Sequence, residues 1–114
     1  MFYDPSLKPG LPPKPTVSPA IELEPWRNVL LGAAELIDRY GHCKQTMYHE
    51  NSMCLFGAIF TARSQYWNAS VHEAIDALCK VTHVTNENAL ITWNDQPERT
   101  KEEVINTLRD AASI

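Results

Sequence analysis

Seven of the eight prolines fall within the first 25 residues, at Pro5, Pro9, Pro12, Pro13, Pro15, Pro19 and Pro25, and the rest of the chain holds only Pro97. Each proline fixes φ and removes an amide donor. At this density residues 1–25 can form neither a helix nor a central strand, and they are expected to run as an extended arm. The arm nonetheless carries Phe2, Tyr3, Leu7, Leu11, Val17, Ile21 and Leu23, more apolar material than a solvated linker needs. It is therefore expected to lie on a surface, either its own body or a neighbouring copy, the latter giving a homo-oligomer. Pro9-Gly10-Leu11-Pro12-Pro13-Lys14 also has the Pro-x-x-Pro-x-Lys form accepted by aromatic grooves that bind polyproline helices. Leu11, Pro12 and Pro13 are thus candidate contact residues, although such strings arise often in proline-rich segments.

Residues 26–114 read as helical throughout. Trp26, Leu30, Ala33, Ile37 and Tyr40 recur at spacings of four and three, which makes one stripe of a helix that opens at Pro25 and stops at Gly41. Asn51 or Ser52 is expected to cap a second helix running to about Gln65, with Leu55, Ile59 and Ala62 on one face. Ser70-Val71-His72-Glu73 matches a capping box, and Val71, Ile75 and Leu78 follow at helical spacing. A fourth, shorter helix is expected over Glu87 to Asn94. Thr100-Lys101-Glu102-Glu103 is a second capping box, with Val104, Leu108 and Ala111 as the inner face of the last helix and Ile105 beside them. No segment alternates with period two for long enough to need a sheet, though the β-branched run Val81 to Thr85 could pair locally. The expected architecture is all-α, a compact bundle of about five short helices (26–114) behind the proline-rich arm (1–25).

Charge and composition narrow the function. The 114 residues are 44% hydrophobic and 21% charged, which describes one globular domain. Ten basic against 14 acidic side chains give a formal charge of −4. With no basic cluster, phosphate-backbone binding and hence nucleic acid are not expected. The longest apolar runs are far shorter than a membrane span, so no membrane partner is expected. The first residues have neither a basic nor a continuous apolar region of the secretory kind, so the expected location is cytoplasmic. Structural disulfides are not expected there, and three cysteines, Cys43, Cys54 and Cys79, cannot all pair within one chain. Asn68-Ala69-Ser70 spells a glycosylation acceptor that a cytoplasmic chain would not use.

Several constellations could carry chemistry. His42, Cys43, His49 and Cys54 offer mixed nitrogen and sulfur ligands for a tetrahedral zinc ion, but their spacing matches no common zinc pattern, and a polar loop is the simpler reading. Cys54, near the start of a helix, would have its thiolate favoured by the helix dipole and could serve as a nucleophile with a base such as His49. A cysteine packed as a small apolar side chain is the more frequent case. Trp93-Asn94-Asp95-Gln96-Pro97-Glu98-Arg99-Thr100 is dense in turn-forming side chains. Asp95 and Arg99 could pair across the corner, Asn94 could cap the departing helix, and Pro97 could set the turn. Calcium does not fit, because Pro97 and Arg99 stand where oxygens would be needed. Trp93, Asn94, Asp95 and Arg99 are candidates for a binding surface, set against a plain structural corner.

Cys54-Leu55-Phe56-Gly57-Ala58-Ile59, Ile91-Thr92-Trp93-Asn94-Asp95-Gln96-Pro97-Glu98-Arg99-Thr100 and the closing Glu103-Val104-Ile105 resemble a family of small uncharacterised proteins from bacteria and their phages. That family shows Cys-x-x-Gly-Ala-Leu or Ile followed by Trp-Asn-Asp-x-Pro-x-Arg-Thr. The likeness runs from about Val29 to Ala112, and at Gly41-His42-Cys43 the chain departs from the family's Gly-Trp-Cys-like turn. The resemblance implies a compact helical domain associated with mobile elements, and it supplies no activity or cofactor. The expected function is a small non-enzymatic module that occupies a surface of a larger protein. A Cys54-dependent enzyme and a zinc-stabilised module are the alternatives.

Overall fold

A computed structural model describes residues 24–65 and 69–114, so the arm, with Leu11, Pro12 and Pro13, and the acceptor Asn68 lie outside the described residues. The elements are α1 (Pro25–Tyr40), β1 (Tyr48–His49), β2 (Ser52–Met53), α2 (Leu55–Arg63), α3 (Val71–Thr82), α4 (Glu87–Asp95) and α5 (Lys101–Ala111). The all-α expectation holds, with five helices among the described residues. None of them is long and apolar enough to cross a membrane.

The first helix is the axis of the bundle. It packs most extensively against α5 and α2, then against α3. The stripe read from the sequence is only part of its buried surface. Val29, Ala34 and Leu36 are buried as well as Trp26, Leu30, Ala33 and Ile37, because neighbours approach from several sides. Pro25 occupies the first turn, where a missing amide costs nothing. The Glu24 carboxylate accepts hydrogen bonds from Trp26 Nε1 (3.0 Å) and Arg27 Nε (3.2 Å), which hold it below its ordinary pKa. Gly41 ends the helix at φ 100°, with its N–H on Ile37 O.

The second helix starts later than its polar flank suggests. Cys54, rather than Asn51 or Ser52, is its N-cap. Ser52 and Met53 instead pair back on Tyr48 and His49 in a two-residue antiparallel hairpin turned at Glu50 (φ 55°). The cause is long-range. The Ser52 hydroxyl donates to Tyr40 O (3.3 Å) and the Met53 amide to Gly41 O (3.1 Å), so the residues that resemble a helix cap are used to close the end of α1.

The remaining elements follow their local signals. Ser70, Asn86 and Thr100 each accept the amide three residues on and cap α3, α4 and α5, and the Thr100–Glu103 box is complete in both directions. Val104, Ile105, Leu108 and Ala111 are buried as the spacing requires. Val81 and Thr82 do not form a strand. They are the last residues of α3, where the Thr82 hydroxyl is satisfied by Leu78 O (2.7 Å).

That helix ends on His83 in the left-handed region (φ 60°), with the Val84 amide returning to Cys79 O. The conformation is disfavoured for a residue with a side chain and natural for glycine. His83→Gly is therefore expected to stabilise the fold by about 0.5–1 kcal/mol, read as a higher urea midpoint at unchanged slope.

Candidate functional site

Asn94, on the last turn of α4, is 2% exposed and the only polar residue in the buried core among those described. Its amide is used in full. Oδ1 accepts the Leu55 N–H (3.0 Å) at the start of α2 and faces His42 Nε2 (2.7 Å), while Nδ2 donates to Cys43 O (3.3 Å) and Asp95 Oδ1 (2.9 Å). This set fixes the amide's orientation, since a flipped side chain would aim its NH2 at an N–H and its oxygen at a carbonyl. It also fixes the histidine tautomer: His42 must carry its proton on Nε2. A side chain placed to cap α4 or meet a partner would leave these groups unpaired. Asn94 instead ties the end of α4 to the 42–54 loop and the start of α2.

The rest of the corner grips the same loop. Asp95 Oδ1 also accepts the Gln45 N–H (2.8 Å), presented by a left-handed turn at Gln45 (φ 67°), and Lys44 Nζ donates to Pro97 O (2.8 Å). The expected Asp95–Arg99 pair does not form. The Arg99 guanidinium carbon stands over the Trp93 ring, 3.9 Å from its centroid, and the side chain donates through Nε to Trp93 O (2.9 Å) and pairs through Nη1 with Glu103 (2.9 Å) one turn into α5. A planar guanidinium satisfies the ring, the carbonyl and the carboxylate together, whereas Asp95 is already engaged by backbone on its other side. Asn94 is thus turned inward, while Trp93, Asp95 and Arg99 remain partly exposed around it.

The histidines and cysteines divide. Cys54 is 7% exposed, and its sulfur accepts the Gly57 N–H (3.4 Å) as the cap of α2. His49 is exposed on the hairpin, and no hydrogen bond joins its ring to either thiol among the described residues. Cys43 is half-buried with its thiol on Thr46 O (3.3 Å). Burial pushes that thiol up, as does the neighbouring Cys54, so its thiolate is disfavoured. No group of three or more His, Cys, Asp or Glu is arranged to hold a metal ion among the described residues.

Burial also pushes His42 down, an effect partly offset by its bond to Asn94. The neutral ring is therefore the form the fold prefers, and the unfolded chain takes up the proton first. Stability is present above about pH 6.5 and is lost as the pH falls through that value towards the depressed native pKa. The expected result is a urea midpoint that drops between pH 7.5 and 5.5 in the wild-type protein by more than in His42→Gln, which keeps a donor without a titrating ring.

Sequence reasoning passed over the opposite side of the loop. A methyl group at Gly57 would collide with the Met47 carbonyl oxygen and stand 3.2 Å from the Tyr48 ring, so only glycine lets the loop lie on α2. The Tyr48 hydroxyl bonds Gly57 O (3.2 Å) and Thr61 Oγ1 (3.1 Å). Phe60 rises one turn on from Gly57 on the same helical face, its ring 6.4 Å from that of Phe56. Met47, Tyr48 and Phe60 are 39%, 48% and 44% exposed, an apolar group standing in water on a firmly held base. The available signal was the glycine at the third position of α2, a poor helix former whose presence inside a helix points to close approach by another backbone.

An open groove of about 470 Å3 lies between the start of α1, α3 and the chain's end. Its charged lining is mixed, Arg27 and Lys80 with Glu73 and Asp76.

No curated protein and no solved structure matches the chain. A family model does match, over residues 22–114, which takes in the whole helical body with the corner and its loop. The chain belongs to DUF6197, a family of unknown function.

Proposed function

We propose that this chain is a small non-enzymatic protein-binding module that occupies a surface of a larger protein, in the cytoplasm of a bacterium or as an accessory of its mobile elements. The observation that carries the reading is the exposure of Met47, Tyr48 and Phe60 around Gly57, three of the five large apolar side chains that stand well exposed among the described residues. Rigidly presented apolar and aromatic side chains give contact area at low entropic cost, which is how the centre of an interface is built. The net charge of −4 and the exposed Glu50 at the hairpin turn favour an apolar socket with a basic rim on the partner. The bacterial and mobile-element setting rests on the sequence resemblance, and three free cysteines agree with a reducing compartment.

The enzymatic alternative has less support. The Cys54 thiol is spent on capping α2, and no imidazole is hydrogen-bonded to it among the described residues.

The test pairs Met47→Asp with Phe60→Asp and measures cross-linked capture from the native host. Loss of the captured partner by about tenfold or more, with unchanged helical circular dichroism, is expected. Ile91→Asp, on α4, should leave capture intact. Equal capture by the double variant would overturn the reading, and a parallel deletion of residues 1–20, expected to weaken capture, isolates the arm's share.

A further inference from the structure

Outside the proposed docking surface, the backbone brings two of the three cysteines into register. His42 and Met53 form an isolated parallel bridge, with the Met53 N–H on Gly41 O (3.1 Å) and the Cys43 N–H on Met53 O (3.1 Å). In a parallel pair the residues on either side of a bridge face each other in turn, and alternate pairs share a face. Gly41 and Ser52 precede the bridge, and Cys43 and Cys54 follow it. Paired strands lie about 4.7–4.9 Å apart in the hydrogen-bonding direction. A disulfide spans Cα atoms about 4.4–6.8 Å apart.

The atoms around the thiols agree. Met47 O lies 3.7 Å from Cys43 Sγ and accepts the Cys54 N–H at 3.0 Å, so one carbonyl stands beside both residues. Cys54 is also among the groups that raise the Cys43 thiol, whereas Cys79, on α3, is not.

We propose that Cys43 and Cys54 are a redox pair that closes to an intramolecular disulfide across the 42–53 bridge when a small-molecule disulfide such as oxidised glutathione is the oxidant. Cys43 is the more exposed and is the attacking thiol. After losing its proton to solvent it attacks one sulfur of the oxidant, whose S–S bond breaks and releases one thiolate, leaving a mixed disulfide on Cys43. Cys54, turned out of its cap and deprotonated, then attacks the Cys43 sulfur and expels the second thiolate. Two protein thiols become one disulfide, and one small disulfide becomes two thiols. Cys43 is held mainly protonated by burial, the adjacent Cys54 and Asp95, against the His49 N–H that faces its sulfur, so closure is slow and the pair rests open in reducing conditions. Closure fastens the base of the segment that carries Met47 and Tyr48. The inference does not depend on what that segment binds.

The test uses the full chain with Cys79→Ser, equilibrated in glutathione buffers of increasing oxidised fraction, acid-quenched, alkylated and mapped by mass spectrometry. Expected is the joint loss of both remaining thiols in a monomer, a bridged peptide joining Cys43 to Cys54, and reversal by reduced glutathione. Cys54→Ser in the same background keeps an oxygen to cap α2 and is expected to stop at glutathione on Cys43. Alkylation of both cysteines at the oxidising end, a glutathione adduct on Cys43 that persists while Cys54 is intact, or a disulfide between two chains would each overturn the proposal.

Discussion

Replacing Asn94 by leucine is expected to cost about 3–5 kcal/mol of folding stability, a large share of the roughly 5–15 kcal/mol that a domain of this size has to lose. The branched shape is kept and no volume is lost, so the cost is not a cavity. It comes from the Leu55 N–H, the Cys43 carbonyl and the His42 Nε2–H, which lose their partner together. A buried donor or acceptor left unmade costs about 1–3 kcal/mol, and the sum is reduced here because the 42–45 segment lies near the surface and can move to reach water. Aspartate would not rescue the site. It keeps the acceptor for Leu55 and His42 but turns a second carboxylate oxygen towards Cys43 O and the Asp95 carboxylate. Urea unfolding gives the loss, and amide exchange at Leu55, expected to speed up beyond the global change, locates it. A loss below about 1 kcal/mol would show that the loop holds itself.

The residues best read from sequence are those whose partners lie within a turn of the chain. Pro25 starts α1 by its fixed φ, while Gly41 closes α1, Ser70 opens α3, and Thr100 with Glu103 opens α5, each of these three by bonds that span three or four residues. Ser52 misled because its hydroxyl has two possible uses, and a carbonyl 12 residues back decides between them. In the sequence Cys54 reads as a potential nucleophile; in the fold its sulfur caps α2, a duty that sequence rules assign to oxygen-bearing side chains. The Trp93–Thr100 string reads as a corner, and it joins α4 to α5. What it clamps was not legible, since the links from Asn94 to His42 and Leu55 span 52 and 39 residues and leave no periodic trace. Arg99 and Asp95 have complementary charge four residues apart, which suggested a pair. Glu103 stands at the same distance on the other side, and only the position of the Trp93 ring selects it.

Gly57→Ala is expected to destabilise by about 2–4 kcal/mol, against the sign that helix propensity gives. Inside an unconstrained helix the same change gains about 0.5–1 kcal/mol, because alanine loses less backbone freedom on folding. Here the added methyl group collides with the Met47 carbonyl oxygen, which cannot swing aside, since it also receives the Cys54 N–H that begins α2. Relief therefore requires the hairpin to lift as a unit. The Tyr48 hydroxyl then leaves Gly57 O and Thr61, and the apolar group at Met47, Tyr48 and Phe60 is dispersed. Gly32 provides the internal comparison. It is also buried in a helix, but a methyl group there would meet only the Ala62 methyl, at 3.3 Å, and helices can part by the few tenths of an ångström required. Gly32→Ala is accordingly expected to fall within about 1 kcal/mol of wild type. Thermal unfolding of the two variants side by side, with the Tyr48 ring resonances as the local probe, separates a general intolerance of the helix interfaces from the specific backbone contact at Gly57. Equal losses at both glycines would mean that α1 against α2 is the tight interface and that the loop merely follows it.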